Sequence, residues 1–235
     1  MFYATHAAFL NDPSENKLSL EALKSLGITE SILELCDVLP GTPYIISFCK
    51  TDNNLPMWRL YGDDACGVAL GFDENEIANH YDTEGNTSLV IHDKCQYTTV
   101  KQLRLMIRRS KEYQEWESDC AKHKNLLPIA RIMLKSLMYK HKAYEFEDEY
   151  RLGFKDVSPR EFRNNANGVL IPYKSMPIPI TSLKTITIGP CANQEKNKYT
   201  IQLLFQSKSC LKKIMNNSQN DEFIHYAEIP YTNKY

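Results

Sequence analysis

The feature that most constrains the fold is a long stretch of helical spacing, from about Val100 to His141, between two groups of strand-like runs. Leu103 and Ile107 mark one face of its first helix. A second helix is predicted from apolar residues at i, i+3, i+4, i+7 and i+8, which are Ala130, Met133, Leu134, Leu137 and Met138. We interpret this stripe as part of the hydrophobic core.

The runs on either side are short, apolar and rich in β-branched or aromatic residues, which is typical of strands. Before the helical stretch they are FYATHAA, TPYIISFCK and GVALGF, of which the last two can pair as neighbours. After it come YEFEDEYRLGF, VLIPYK, LKTITIGP and FIHYAEIPY, with an amphipathic helix over NQEKNKYTIQLLFQSKSC. This order predicts one α+β domain spanning residues 1–235, with helices packed on a mixed, mostly antiparallel sheet.

The balance of charge and the cysteines limit the class of protein. Twenty-eight basic and 29 acidic residues give a net charge of -1, so binding to nucleic acid or an anionic membrane has to be local. Seven cysteines without a CxxC pair predict reduced thiols. No stretch is long enough for a membrane span or a secretory signal, so we expect a cytoplasmic protein without membrane contact.

Several common sites are not indicated. The sequence contains no GxGxxG, no phosphate-binding loop and no Gly-x-Ser-x-Gly. Its six histidines lack HExxH or HxH spacing, so no metal is predicted. Two basic stretches, KQLRLMIRRSK and KNLLPIARIMLKSLMYKHK, are either solvated helix faces or part of a nucleic-acid groove, with the aromatic rings of Tyr113, Trp116 and Tyr139 nearby.

The stretch YEFEDEYRLGF, Tyr144 to Phe154, carries the clearest pattern. If all of it is a strand, Glu147, Glu149 and Arg151 share one face. One interpretation is a solvated ladder of ion pairs, each contributing at most about 1 kcal/mol. The other is the floor of an active site, where one carboxylate stabilises a cationic transition state and the other activates an acceptor.

Four segments resemble the bacterial family catalogued as domain of unknown function 2971. They are FLNDPSE, SFCKTDNNLPMWRLYGDDACGVALGF, KHKAYEFEDEYRL, and ITIGP followed by a helix and EIPY. Their combined motifs are N-D-P-x-E, M-W-x-x-Y, E-x-E-x-R and I-P-Y. The activity of that family is not established, so the resemblance supports the fold more than the function.

Beyond this family, a strand bearing Glu-x-Glu late in a mixed α+β domain is similar to mono-ADP-ribosyltransferases, as are the aromatic-rich core and the Ser/Thr-bearing strand that precede it. By that analogy NAD is the substrate, Glu149 steadies the oxocarbenium-like state as nicotinamide leaves, and Glu147 assists the acceptor. Arg151 would hold the carboxylates or bind a phosphate of NAD. Trp58 and Tyr61 would stack on nicotinamide or adenine, although both also fit a plain aromatic core.

Those enzymes begin with a strand that carries an Arg or His for NAD. Here FLNDPSE begins at residue 9, so either His6 or Thr5 takes that part or a piece of the site is missing. Asn11 and Glu15 fix a turn and a helix start or contact the substrate, and Tyr144 is a further candidate for substrate binding.

Three functions therefore remain open. The first is an ADP-ribosyltransferase-like effector of the toxin or phage-defence type, which transfers ADP-ribose from NAD to a protein or nucleic acid. In this case Glu149→Gln should abolish turnover and leave the melting temperature nearly unchanged. The second is a non-catalytic module whose binding to protein or nucleic acid depends on Arg108 and Arg109. The third is hydrolysis of a nucleotide or N-glycosidic bond by Glu147 and Glu149.

Overall fold

The computed structural model describes residues 1–10, 14–38, 43–83, 89–119, 125–155, 161–164, 168–190, 193–208, 211 and 223–231. The helices in these ranges are α1 Ser14–Lys24, α2 Glu30–Val38, α3 Leu55–Tyr61, α4 Glu74–Thr83, α5 Val100–Arg109, α6 Lys111–Ser118, α7 Leu127–Ser136 and α8 Gln194–Ser207. The strands are β1 Phe2–His6, β2 Tyr44–Cys49, β3 Val68–Phe72, β4 Leu89–Lys94, β5 Gln96–Thr98, β6 Tyr139–His141, β7 Glu149–Phe154, β8 Glu161–Asn164, β9 Leu170–Met176, β10 Leu183–Ile188 and β11 Ile224–Tyr226. None of the helices described is long and apolar enough to cross a membrane.

The chain divides into two compact units, and each is built from two separate segments. The first unit contains Met1–Phe48 and Thr87–Pro177, and the second contains Cys49–Asn86 and Ile178–Tyr235. A single domain over residues 1–235 stays a prediction. The α+β class with mostly antiparallel sheets is confirmed.

The first unit contains a six-stranded sheet in the order β4-β7-β2-β1-β9-β8. β1 pairs antiparallel with β2 and β9, β4 pairs antiparallel with β7, and β8 pairs antiparallel with β9. A separate two-stranded sheet joins β5 and β6 in parallel, with Tyr97 opposite Lys140. This small sheet places Lys140 beside the start of β7.

Local hydrogen bonds set where α5 and α6 begin. The side chain of Thr99 accepts a hydrogen bond from the backbone N–H of Gln102, and the side-chain oxygen of Gln102 accepts one from the backbone N–H of Thr99. This capping box satisfies two donors that the first helical turn leaves free. Ser110 caps α6 in the same way, by accepting from the backbone N–H of Tyr113.

The helices of the first unit bury one core. The predicted face of Leu103 and Ile107 is confirmed, since both are buried. The second predicted stripe is only partly right: α7 ends at Ser136, so Leu137 and Met138 lie beyond it. The buried residues of this core are Leu18, Ala22, Leu23, Ile28, Leu33, Leu103, Ile107, Tyr113, Trp116, Ile129, Ala130 and Ile132.

The second unit contains a three-stranded sheet in which β10 is central, antiparallel to β3 and parallel to β11. The predicted pairing of TPYIISFCK with GVALGF is therefore wrong, because these strands lie in different sheets. The physical reason is that β2 lies between β7 and β1, so both of its edges are already paired. Gly71 of β3 lies opposite Thr185 of β10, where an added Cβ would stand 2.2 Å from Oγ1 of Thr185 and would require that side chain to rotate.

The segment Tyr144–Phe154 is not one strand, contrary to the expectation. Lys142–Glu147 form a 3-10 helix, which begins where the side chain of His141 accepts a hydrogen bond from the backbone N–H of Ala143. Asp148 then adopts the left-handed region, with φ of 40°, and β7 starts only at Glu149. Glu147 therefore precedes the strand that carries Glu149 and Arg151.

Candidate functional site

The charged residues predicted as a site form one ion network in the first unit. Arg151 holds Glu149 by two hydrogen bonds, from Nε to Oε1 at 2.7 Å and from Nη2 to Oε2 at 3.0 Å. Lys140 lies 2.8 Å from Oε2 of Glu149 and also pairs with Glu147. The predicted common face of Glu149 and Arg151 is confirmed by their contact, and Glu147 reaches the network from the 3-10 helix.

This network is buried. The exposed fraction is 5% for Glu149 and 1% for Arg151, and Glu147 and Lys140 are also buried. Arg151 donates a further hydrogen bond from Nη1 to the carbonyl oxygen of Leu137, at 2.6 Å. The interpretation as a solvated ladder is therefore wrong, because such a ladder requires exposed charges.

The ionisation of Glu149 follows from its partners. Burial by itself would raise the pKa of this carboxyl, but hydrogen bonds and charge from Arg151 and Lys140 outweigh burial and lower the pKa to about 2. Tyr97 is close by, where its hydroxyl oxygen accepts a hydrogen bond from the backbone N–H of Glu149 at 2.8 Å. Burial is the main cause that raises the pKa of Tyr97, to about 12. Glu149 is thus ionised, and both of its oxygens are bound by cations.

The other predicted residues of the first unit make local contacts. Oγ1 of Thr5 accepts a hydrogen bond from Arg163 at 3.1 Å, and Nδ1 of His6 accepts one from the backbone N–H of Ala8 at 3.3 Å. The ring of Tyr144 lies 5.4 Å from Nζ of Lys140, which is a cation–π distance. Tyr144 is therefore next to the ion network.

Two of the predicted substrate contacts cannot be placed. Asn11 lies outside the described residues, and Glu15 lies on α1 with its side chain outside them. Their roles stay predictions.

Trp58 and Tyr61 meet at a cavity of about 210 Å³ in the second unit. Both belong to α3, which starts where the side chain of Asn54 accepts a hydrogen bond from the backbone N–H of Met57. Trp58 is buried and donates from Nε1 to the carbonyl oxygen of Asp52 at 2.6 Å, whereas Tyr61 is 59% exposed. The cavity also has polar groups in its lining, among them those of Asp52 and Asn54.

Asp52, which lines this cavity, belongs to a cluster of three polar side chains. Thr187 donates a hydrogen bond to Oδ2 of Asp52 at 2.6 Å, and Nε2 of His225 lies 2.9 Å from Oγ1 of Thr187 and 3.1 Å from the same Oδ2. Thr187 and His225 are partners in the register of the parallel strands β10 and β11, so their side chains come from adjacent positions. Because Thr187 has one proton and gives it to Asp52, the nitrogen of His225 is the donor in this cluster.

The cluster keeps an accessible carboxylate in the ionised form. Burial would raise the pKa of Asp52, but the hydrogen bonds from Thr187 and His225 lower the pKa below its usual value of 3.8. The side chain of Asp52 is 43% exposed and that of His225 is 37% exposed. Asp52 therefore presents a fixed negative charge at the cavity beside Trp58.

Residues 57–152 match the family model described as Protein of unknown function (DUF2971). The predicted resemblance to this family is confirmed over these residues. No curated protein and no solved structure matches the chain. The DUF2971 match begins at Met57 in the second unit and ends at Leu152 in the first.

Sequence reasoning missed the three residues of the polar cluster, and all three lie outside the DUF2971 match. A signal was present, because Asp52 and Thr187 belong to two of the segments that resemble the family, and His225 precedes the closing EIPY. His225 has no metal-ligand spacing to another histidine, and spacing along the chain cannot detect a neighbour on an adjacent strand, such as Thr187.

The loop after α3 joins two of the motif segments, M-W-x-x-Y and I-P-Y, by hydrogen bonds. Asp63, Asp64 and Ala65 have positive φ values of 53°, 46° and 71°, a conformation that costs free energy in residues other than glycine. Asp64 offsets part of this cost by accepting from Arg59 at 3.1 Å and from the hydroxyl of Tyr231, in I-P-Y, at 3.3 Å. The M-W-x-x-Y segment and the I-P-Y segment thus meet in the second unit.

Proposed function

We propose that this protein binds NAD and breaks the bond between nicotinamide and ribose, passing ADP-ribose to an acceptor or to water. The proposal rests on one observation: the carboxylate of Asp52 is fixed and ionised at a cavity lined by Trp58 and Tyr61. A role as a toxin or in phage defence stays a prediction.

The cavity suits a cationic aromatic ring. The nicotinamide ring of NAD carries a positive charge, and such a ring is favoured beside an anion and against aromatic side chains. The volume of about 210 Å³ is below the roughly 300–1,000 Å³ of pockets that enclose a whole drug-sized ligand. We therefore place only the nicotinamide end of NAD in the cavity.

The proposed reaction needs an anion close to the ribose. The bond between C1′ and the ring nitrogen breaks, and nicotinamide leaves as a neutral molecule with the electron pair. The positive charge that develops on the ribose is stabilised by the carboxylate of Asp52. A hydroxyl oxygen of the acceptor, or of water, then forms the bond to C1′ and releases its proton to solvent. Thr187 and His225 act as positioning residues that hold Asp52 in the ionised form.

Accessibility favours Asp52 over Glu149 for this role. Both carboxylates are ionised, but Glu149 is 5% exposed and its oxygens are bound by Arg151 and Lys140. A ribose could contact Glu149 only by displacing one of these cations. The side chain of Asp52 is 43% exposed at a cavity. A catalytic role of Glu149 and Glu147 stays a prediction from the sequence. For the reaction proposed here, we assign the stabilising carboxylate to Asp52.

The test is titration of the protein with NAD by calorimetry, with nicotinamide release followed in the same samples. We expect binding and release by the unaltered protein and loss of release in Asp52→Asn, which keeps the shape and removes the charge. The matched control is Asp63→Asn, an exposed residue with positive φ, a conformation that asparagine tolerates. Absence of NAD binding, or equal release by Asp52→Asn and the control, would refute the proposal.

A further inference from the structure

Helix α5 carries a strip of exposed cations. Lys101, Arg104, Arg108 and Arg109 are all exposed, and no ion pair between described residues involves any of the four. The chain as a whole has a net charge of -1, so this strip is a local concentration of positive charge. Unpaired cations at this density favour a polyanionic ligand.

The same helix forms one side of a groove of about 350 Å³ in the first unit. Gln102, Leu105 and Met106 line the groove from α5, and Tyr97 and Tyr139 line it from β5 and β6. None of the described residues that line the groove carries a carboxylate. Residues three and four apart are neighbours on a helix surface, so Lys101 and Arg108 flank Leu105 and Arg109 flanks Met106. The cations therefore border the groove.

The groove offers the groups that contact nucleic-acid bases. Tyr97 is fixed by the hydrogen bond that its hydroxyl accepts from the backbone of Glu149, and Tyr139 is half-buried. Aromatic rings held in this way are stacking surfaces for bases. The side-chain oxygen of Gln102 accepts hydrogen bonds from Thr98 and Thr99, so its amide NH₂ group is the part available to a base carbonyl.

We infer that α5 and this groove bind single-stranded nucleic acid, with phosphates on the cations and bases against Tyr97 and Tyr139. A single strand is required because the bases of a duplex are stacked on each other and cannot lie against the tyrosines. This site is in the first unit, and its chemistry does not depend on the proposed reaction of NAD. The two proposals can therefore fail separately.

The experiment is fluorescence anisotropy of the full chain with a labelled 12-nucleotide single strand of mixed sequence, as DNA and as RNA, over a series of salt concentrations. We expect binding that weakens as salt rises. The variant Arg104→Gln/Arg108→Gln should bind more weakly, and the plot of log K against log salt should be less steep by about 1.4, since each phosphate contact on a single strand contributes about 0.7. Tyr139→Leu, which keeps apolar bulk, should lower affinity about five-fold or more without changing that slope.

The matched control removes two exposed cations from the second unit, in Lys196→Gln/Lys208→Gln, and should leave binding unchanged. Thermal unfolding of each variant separates a loss of the site from a loss of the fold. No binding at low salt would overturn the inference, and so would an equal effect of the control pair. Unchanged affinity in Tyr139→Leu, or binding to vesicles with anionic lipid and not to either oligonucleotide, would overturn it as well.

Discussion

Arg151 and Glu149 form a two-point ion pair inside the first unit, with Nε 2.7 Å from Oε1 and Nη2 3.0 Å from Oε2. Lys140 approaches the same carboxylate from a strand of another sheet, at 2.8 Å. One carboxylate thus joins β6 to β7 and pairs with two buried cations, of which Lys140 also pairs with Glu147. Because buried charges are stable only when they are paired, the fold of this unit depends on Glu149.

The first prediction concerns Glu149→Gln. We expect a loss of about 3–5 kcal/mol in the free energy of unfolding, since the change leaves the buried Arg151 without its anion and Lys140 with Glu147 alone. This reverses the expectation from sequence that the melting temperature would hardly change. Urea unfolding measures the loss. The control is Glu145→Gln, on the exposed part of the 3-10 helix, which should stay within about 0.5 kcal/mol of the unaltered protein. Equal stability of the two variants would contradict the prediction.

The second prediction is the acid stability that Glu149 confers. Its pKa is about 2 in the folded protein, below the value of 4.5 expected when unfolded. Between these two pH values the unfolded chain binds more protons than the folded protein. The contribution of Glu149 to the free energy of unfolding is therefore fully present above about pH 4.5 and is lost as the pH falls toward about 2. Unfolding free energies of the unaltered protein and Glu149→Gln should converge over this range. Parallel curves would show that another group controls acid unfolding.

Part of the fold could be predicted from periodicity. Apolar spacing within a single segment predicted the buried face of Leu103 and Ile107 and, elsewhere in the chain, the strand that contains Thr187. Both are present in the structure. The pairing of β3 with β10 was missed because it joins residues far apart in sequence, such as Gly71 and Thr185. A local pattern carries no information about such a pairing.

The same limit applies to the candidate sites. The alternate spacing of Glu149 and Arg151 predicted their common face correctly, but it could not show that Lys140 from β6 would join them in a buried network. Asp52, Thr187 and His225 come from three separate segments. Each of them alone is an ordinary polar residue, and only the register of β10 with β11 and the position of the loop before α3 bring them together.

The third prediction concerns Gly189, which follows β10. A Cβ at this position would lie 2.3 Å from the carbonyl oxygen of Ala65, and this oxygen belongs to backbone that cannot move aside as a flexible side chain could. Gly189→Ala should therefore destabilise the protein by about 1–3 kcal/mol. Thermal unfolding measures the loss, with the exposed Asn193→Ala as the control. A Gly189→Ala protein as stable as the control would show that the loop of Asp63 to Ala65 can shift.

The last prediction concerns the hydrogen bond from Thr187 to Asp52. This bond helps to lower the pKa of Asp52 below 3.8, so Thr187→Val should raise the pKa of that carboxyl. Since the proposed binding of the nicotinamide cation needs ionised Asp52, NAD affinity should fall on acidification, and in Thr187→Val the fall should occur at higher pH. Calorimetric titrations with NAD at a series of pH values measure both curves.

Valine has nearly the shape of threonine, so packing around this buried position should be kept while the donor is lost. The control is Thr200→Val, on the exposed side of α8, which should reproduce the curve of the unaltered protein. If Thr187→Val and the control give the same pH dependence, Thr187 does not position the carboxylate for NAD. A shift in Thr187→Val alone would link the register of β10 and β11, through Asp52, to binding in the cavity beside Trp58.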